Sequence, residues 1–212
     1  MGNALSYGIL MFSIWIGGKP PVKELWCMAE NNRLHGLTLI ASENWIGAKH
    51  FINIGPQLES CLLDNDCLML SKIWDSPKNL SDVFRIWWLI KNPSEVYIDS
   101  DCVLLEPLVI CDSIQVPSCQ KGAETIAESH GVILDMDLVK NSVGQFVEVY
   151  IIGGNGDSTP FMLWLMFWVS LYSEQGGIAE TICYEPFKLS IIPPEKFKNY
   201  PSEKGIKWQK EN

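Results

Sequence analysis

The sequence predicts an α/β fold: one domain built on a mixed, mainly parallel sheet with helices on its faces. Three observations predict it. Residues 9–16 form a continuous run that is apolar at every position but Ser13, the mark of a strand covered on both sides. A helical stretch at 21–34 and a second apolar run at 37–41 follow directly, and strand, helix, strand is the α/β alternation. Farther on, an apolar helix leads through a turn into Val96-Tyr97-Ile98 and then Asp99-Ser100-Asp101. Ligands of open α/β sheets bind just outside the carboxyl ends of such strands.

The bounds agree. The chain has 212 residues, enough for one domain with a full core, and 47% of them are hydrophobic, which argues against disorder. A formal net charge of −9 disfavours a nucleic-acid partner, which needs a basic face. The same acidity would repel an anionic ligand unless a cation and local lysines neutralised it. The 7 cysteines and 3 histidines show no zinc spacing, so reduced thiols and a cytoplasmic location are expected. No positively charged leader precedes residues 8–16, and the apolar stretch 161–171 is too short to span a bilayer, so no transmembrane segment is expected.

Taken in order, Gly17-Gly18-Lys19-Pro20-Pro21 ends the first strand, and its glycines let a ligand approach the backbone. No G-x-G-x-x-G follows, which excludes a dinucleotide-binding fingerprint. In the helix at 21–34, Leu25, Trp26, Met28 and Ala29 form the inner face. His35 and His50 read as loop residues. Two short helices are expected across 50–80, broken at Gly55-Pro56 and Ser76-Pro77, with Asp64 and Asp66 in a solvated turn. Ser81 reads as an N-cap with Asp82 in the first turn. The helix it opens carries Phe84, Ile86, Trp87, Trp88, Leu89 and Ile90, and Asn92-Pro93-Ser94 stops it.

Asp99 and Asp101 stand at i and i+2 at the end of a strand. One can grip Mg²⁺ or Mn²⁺, which favour oxygen ligands and substrate phosphates, while the other grips a hydroxyl. The bare pattern is not specific, because Asp64-Asn65-Asp66 and Asp135-Met136-Asp137 repeat it. Beyond a polar surface segment at 112–130, strands are expected at 132–134 and 146–152. The loop Gly153-Gly154-Asn155-Gly156-Asp157 comes next, then a core helix at 161–171. Residues 1–194 are taken as the domain. Residues 195–212, with Lys196, Lys198, Lys204, Lys207, Lys210 and Trp208, read as a basic tail or lid.

Ser81-Asp82-x-x-Arg85, an apolar helix, a hydrophobic strand, Tyr97-Ile98-Asp99-Ser100-Asp101 and Leu104-Leu105-Glu106-Pro107-Leu108 together resemble the DXD sugar-binding region of glycosyltransferases. The likeness is to the family 32 group and to the catalytic cores of clostridial glucosylating toxins. Residues 12–18 look like the first strand of those domains, and stretches at 150–155, 191–194, 197 and 200–201 are also similar. Three features depart from the family: Pro93-Ser94-Glu95 stands where Gly-Gly is usual, the spacing from Arg85 to Asp99 is one residue longer than expected, and no C-terminal His or Ser-Trp appears.

The resemblance implies a GT-A-like fold and a metal-dependent glycosyltransferase that moves a sugar from a UDP- or GDP-sugar to an unknown sugar, lipid or protein acceptor, with retention. It implies that Asp101, with Asp99, holds Mn²⁺ or Mg²⁺. Asp99, Asp101 and Arg85 would be the catalytic set. Donor contacts would come from Trp15 (stacking on the base), Ile16, Gly17, Asp82, Arg85, Asp99, Ser100, Asn155 and Asp157. The alternatives are a catalytically degenerate nucleotide-sugar or carbohydrate binding module, favoured by the departures, and a nucleotidyltransferase on a similar scaffold, for which Gly17-Gly18-Lys19 is a faint echo.

Overall fold

A computed structural model describes residues 10–63, 77–108, 111–117, 151–163, 165 and 189–200. Strand β1 (Met11–Ile14) leads into α1 (Val22–His35), β2 (Leu37–Ala41), β3 (His50–Asn53), α2 (Ile54–Leu63) and α3 (Pro77–Lys91). The chain continues through β4 (Val96–Ile98), β5 (Cys102–Leu104), β6 (Ile114–Pro117), β7 (Ile151–Gly153) and β8 (Leu189–Ile192). A 3₁₀ turn, Pro194–Lys196, then precedes β9 (Phe197–Asn199). The main sheet has 7 strands in the order β3-β2-β1-β4-β7-β6-β8, and β5 pairs with β9 in a separate ribbon. β3, β2, β1 and β4 run parallel, β7 is antiparallel to β4 and β6, and β6 is parallel to β8. This is the expected α/β architecture.

The two-sided burial of β1 and β2 follows from their pattern. Phe12, Ile14 and Ile40 enter a core shared with α2 and α3, including Phe84, Trp87 and Trp88. Met11, Leu37, Leu39 and Ala41 enter the opposite core with Met28 of α1. Alternate side chains of a strand face opposite ways, so a run apolar at nearly every position serves both layers.

Several local expectations are corrected. The prolines taken as breaks stand in helix first turns: Pro56 lies at the start of α2 and Pro77 opens α3. Proline fits there because its missing N–H would have no helical partner and its φ is already helical. Ser81 is therefore not an N-cap. It lies one turn inside α3 and hydrogen-bonds Tyr97. His50 is the first residue of edge strand β3 rather than a loop residue, and His35 ends α1, its Nε2 donating to the Leu104 carbonyl at 2.7 Å. The expected boundary at 194/195 falls inside packed structure. Phe197 and Tyr200 are buried, and β9 pairs with β5 along its whole length. The expected turn at 64–66, the strand at 132–134, most of the strand at 146–152 and the helix at 161–171, and the tail at 201–212 lie outside the described residues.

Candidate functional site

The parallel pairing of β1 and β4 carries the loop after Ile14 and the loop after Ile98 to the same edge of the sheet. At that edge the Cys102 N–H donates to the Asp99 carbonyl at 3.1 Å, closing a tight turn that reverses the chain from β4 into β5. Asp99, Ser100 and Asp101 sit on this turn, all half-buried.

Asp99 is held from the sheet side. Tyr97 lies two residues before it, so both side chains emerge on one side of the strand, and the Tyr97 hydroxyl donates to Asp99 Oδ1. The Arg85 guanidinium, reaching from α3, stands 3.5 Å from the same oxygen. Arg85 is buried and is also ion-paired with Asp82 one turn earlier on its helix. A buried guanidinium requires such partners. Asp82, no longer needed near a helix start, serves here to fix Arg85. Burial, partly offset by Arg85, pushes the Tyr97 hydroxyl above its ordinary range.

Asp101 is held from the other side. Lys23 of α1 stands with Nζ 3.9 Å from Asp101 Oδ2, and the Cys102 thiol lies 3.6 Å from Oδ1. The Asp101 carbonyl accepts the Tyr200 N–H at 2.8 Å, tying the turn to the end of β9. Burial, then the charge of Asp99, pushes the Asp101 carboxyl up to about 6, against the pull of Lys23. Burial and the charge of Asp101 likewise push the Cys27 thiol up to about 12.

Strand β5 is fixed on two edges. β9 pairs with one. Along the other, the fully buried Asn31 donates to the Cys102 carbonyl at 2.8 Å and accepts from the Leu104 N–H at 2.9 Å. One amide side chain thus takes the place of a neighbouring strand.

Trp15, Ile16 and Gly17 follow β1 at this same end of the sheet. The Trp15 indole N–H donates to the Gly18 carbonyl at 2.6 Å, and its ring packs partly on the core. Ile16 packs on the opposite core, and Gly17 has φ +122°, a conformation only glycine adopts freely. Asn155 and Asp157 do not reach it. Because β7 is antiparallel to β4, Val96 faces Gly153 and Ile98 faces Ile151, so the loop after β7 leaves at the opposite end from Asp99. There the Gly154 and Gly156 N–H groups donate to the carbonyls of Glu95 and Pro93, at 3.0 and 2.9 Å. Asn155 and Asp157 serve the loop itself: Asn155 Oδ1 accepts from the Asp157 N–H and Asp157 Oδ1 from the Thr159 N–H. Their expected donor contacts are corrected accordingly.

Residues that the sequence reading did not single out for the site are Lys23, Asn31 and the Tyr97 hydroxyl. Tyr97 was legible as the residue two before Asp99 in a strand. Lys23 and Asn31, more than 70 residues away in sequence, carry no local signal.

Among the described residues no three His, Cys, Asp or Glu side chains gather to hold a metal. Mg²⁺ and Mn²⁺ do not require three, since substrate phosphates and water complete their shells. The donor set fits such a cation on another ground: Asp99 and Asp101 are crowded at one turn, and the ionised form of Asp101 is disfavoured by burial and by its neighbour.

No family model matches the chain, and no curated protein matches it. Solved structures do. The PaToxG glycosyltransferase superposes with a TM-score of 0.51 at 14% identity, covering 82% of this chain and 63% of that one. The chain therefore spans less than two thirds of that structure's length. A transferase covers 91% of this chain and 92% of its own at 12% identity and TM-score 0.45. A transferase mutant covers 92% and 94%, also at 12% identity, with TM-score 0.44. The fold is GT-A-like, shared with the PaToxG structure.

Proposed function

We propose that the chain is a glycosyltransferase that moves a hexosyl group from a UDP- or GDP-sugar to an acceptor, with Mn²⁺ or Mg²⁺ held by Asp101 and Asp99. The observation that carries this reading is the turn at Asp99-Ser100-Asp101, placed at the carboxyl ends of parallel strands with two carboxylates crowded on it. When bound, such a cation would supply Lewis-acid stabilisation of the charge that develops on the leaving diphosphate. The chain's own residues supply orientation. Arg85, preset by Asp82 and Tyr97, holds Asp99 toward the donor's hydroxyls, and Ser100, Ile16 and Gly17 offer backbone and small surface beside it. Trp15 stacks on the base. Retention of configuration belongs to the same proposal and rests on the resemblance.

The four described cysteines are free thiols, in keeping with the cytoplasmic location we also propose. Among the described residues no helix is long and apolar enough to cross a membrane.

A second reading has its own support. Both carboxylates are engaged from within, Asp99 by Tyr97 and Arg85, Asp101 by Lys23 and Cys102. Such a site suits a module that binds a donor without turning it over. The deciding experiment is a thermal-shift titration with UDP- and GDP-sugars, with and without Mn²⁺, on wild type and Asp101→Ala, followed by an assay of donor hydrolysis. A metal-dependent shift lost in the variant, with release of sugar, supports the enzyme. A shift without release supports the binding module. No shift with any donor sinks both.

A further inference from the structure

We propose that Lys23 is a diphosphate-recognition residue: its ammonium supplies a fixed positive charge to the donor's phosphates beside the cation held at Asp101. This rests on the donor site proposed above and goes beyond it, since Lys23 belongs to no motif of the sequence. The side chain is only 11% exposed, and its nitrogen is pinned by two short contacts: the Tyr200 carbonyl at 2.5 Å and Glu24 Oε1 at 3.1 Å. An ammonium has three N–H donors. Among the described residues the third meets only the long 3.9 Å ion-pair contact with Asp101 Oδ2, beyond hydrogen-bonding reach. That donor is available to a phosphate oxygen arriving at Asp101.

The charges point the same way. Asp99, Asp101 and Glu24 are three carboxylates around the turn, faced by Arg85 and Lys23. Arg85 is committed to Asp82 and Asp99 on the α3 side. A diphosphate bound through one divalent cation would still meet a surplus of negative charge, and among the described residues Lys23 is the cation seated on the Asp101 side. Its anchors also limit the entropy lost on binding, because a pinned ammonium has little rotamer freedom left to lose.

The test is calorimetric titration of wild type, Lys23→Gln, Lys23→Arg and Glu24→Gln with inorganic pyrophosphate and Mn²⁺, with UDP and GDP, and with uridine and guanosine. Lys23→Gln keeps an N–H for the Tyr200 carbonyl but carries no charge. It is expected to weaken pyrophosphate and nucleoside diphosphate binding about ten- to hundredfold, with nucleoside binding unchanged. Lys23→Arg should recover most of the loss. Glu24→Gln removes a competitor for the ammonium and should tighten pyrophosphate binding several-fold; the gain should be absent from the double variant Lys23→Gln/Glu24→Gln, where relief of repulsion alone would persist. If the Gln variants fail to fold, Lys23→Met carries the same comparison. Diphosphate binding unchanged in Lys23→Gln, or weakened in Glu24→Gln, would overturn the inference while leaving the donor site standing. A wild type that binds neither pyrophosphate nor either nucleoside diphosphate would overturn the donor site itself and Lys23's role with it.

Discussion

The Arg85 guanidinium lies over the ring of Tyr97, 4.9 Å from its centroid, while the hydroxyl of that ring and the guanidinium meet the same oxygen of Asp99. The arrangement joins the aromatic core to the functional turn. Phe12 packs on Tyr97 with centroids 5.4 Å apart, and Phe84 and Trp88 continue the layer. A polar charge can be buried here because a π face, two carboxylates and a helix surround it.

Arg85 is thus expected to be costly to remove. Arg85→Met leaves Asp82 and Asp99 without their cation inside the fold and should destabilise the protein by about 3–5 kcal/mol in urea unfolding. Arg85→Lys keeps a charge but not the planar fork, and should recover only part of that loss. A wild-type midpoint in Arg85→Met would refute the network.

Asp101 makes stability depend on pH in the reverse of the usual carboxylate sense. Its carboxyl is raised from the ordinary 3.8 to about 6, by burial first and Asp99 second. Folding therefore favours its protonated form. That contribution is complete below pH about 4 and is lost as pH rises through about 6. Asp101→Asn should match wild type at pH 4 and exceed it at pH 7.5 by about 1–3 kcal/mol, the free energy of a shift of this size. The check is the difference in unfolding free energy across that range; a constant difference would refute it.

The far end of β4 separates stability from function. A Cβ on Gly154 would stand 2.0 Å from the Pro93 carbonyl oxygen, so Gly154→Ala must displace backbone and should cost about 1–3 kcal/mol. Asp157→Ala should lower the melting temperature slightly through loss of its bond to the Thr159 N–H. Its donor affinity should stay at the wild-type value, because the loop lies away from Asp101. A loss of affinity in Asp157→Ala with intact folding would show that the loop does reach the donor.

Asn31 makes a prediction in between. Asn31→Ala strips partners from the Cys102 carbonyl and the Leu104 N–H inside the core, at a cost of about 1–3 kcal/mol. The Leu104 amide should then lose most of its protection from hydrogen exchange, while amides of β1 and β2 keep theirs. Equal loss throughout would mean that the clamp is not local.

The sequence by itself determined the layers and the place of the functional turn. Runs at 9–16 and 37–41, each apolar at all but one position, already point to strands buried on both faces, because successive side chains point opposite ways. The aromatic helix before Val96 and the aspartates after Ile98 likewise follow from local pattern. Ser81 was misread because a capping residue is recognised by position, and Pro77 starts the helix four residues earlier. What only the tertiary structure decided was which distant groups meet. Apolar periodicity reports that a strand is covered but not the direction of its neighbour, and the antiparallel sense of β7 alone removes Asn155 and Asp157 from the site. Likewise Lys23 reaches Asp101 and Asn31 holds Cys102 because α1 docks along β5, a contact between segments about 70 residues apart that packing sets and local sequence does not encode.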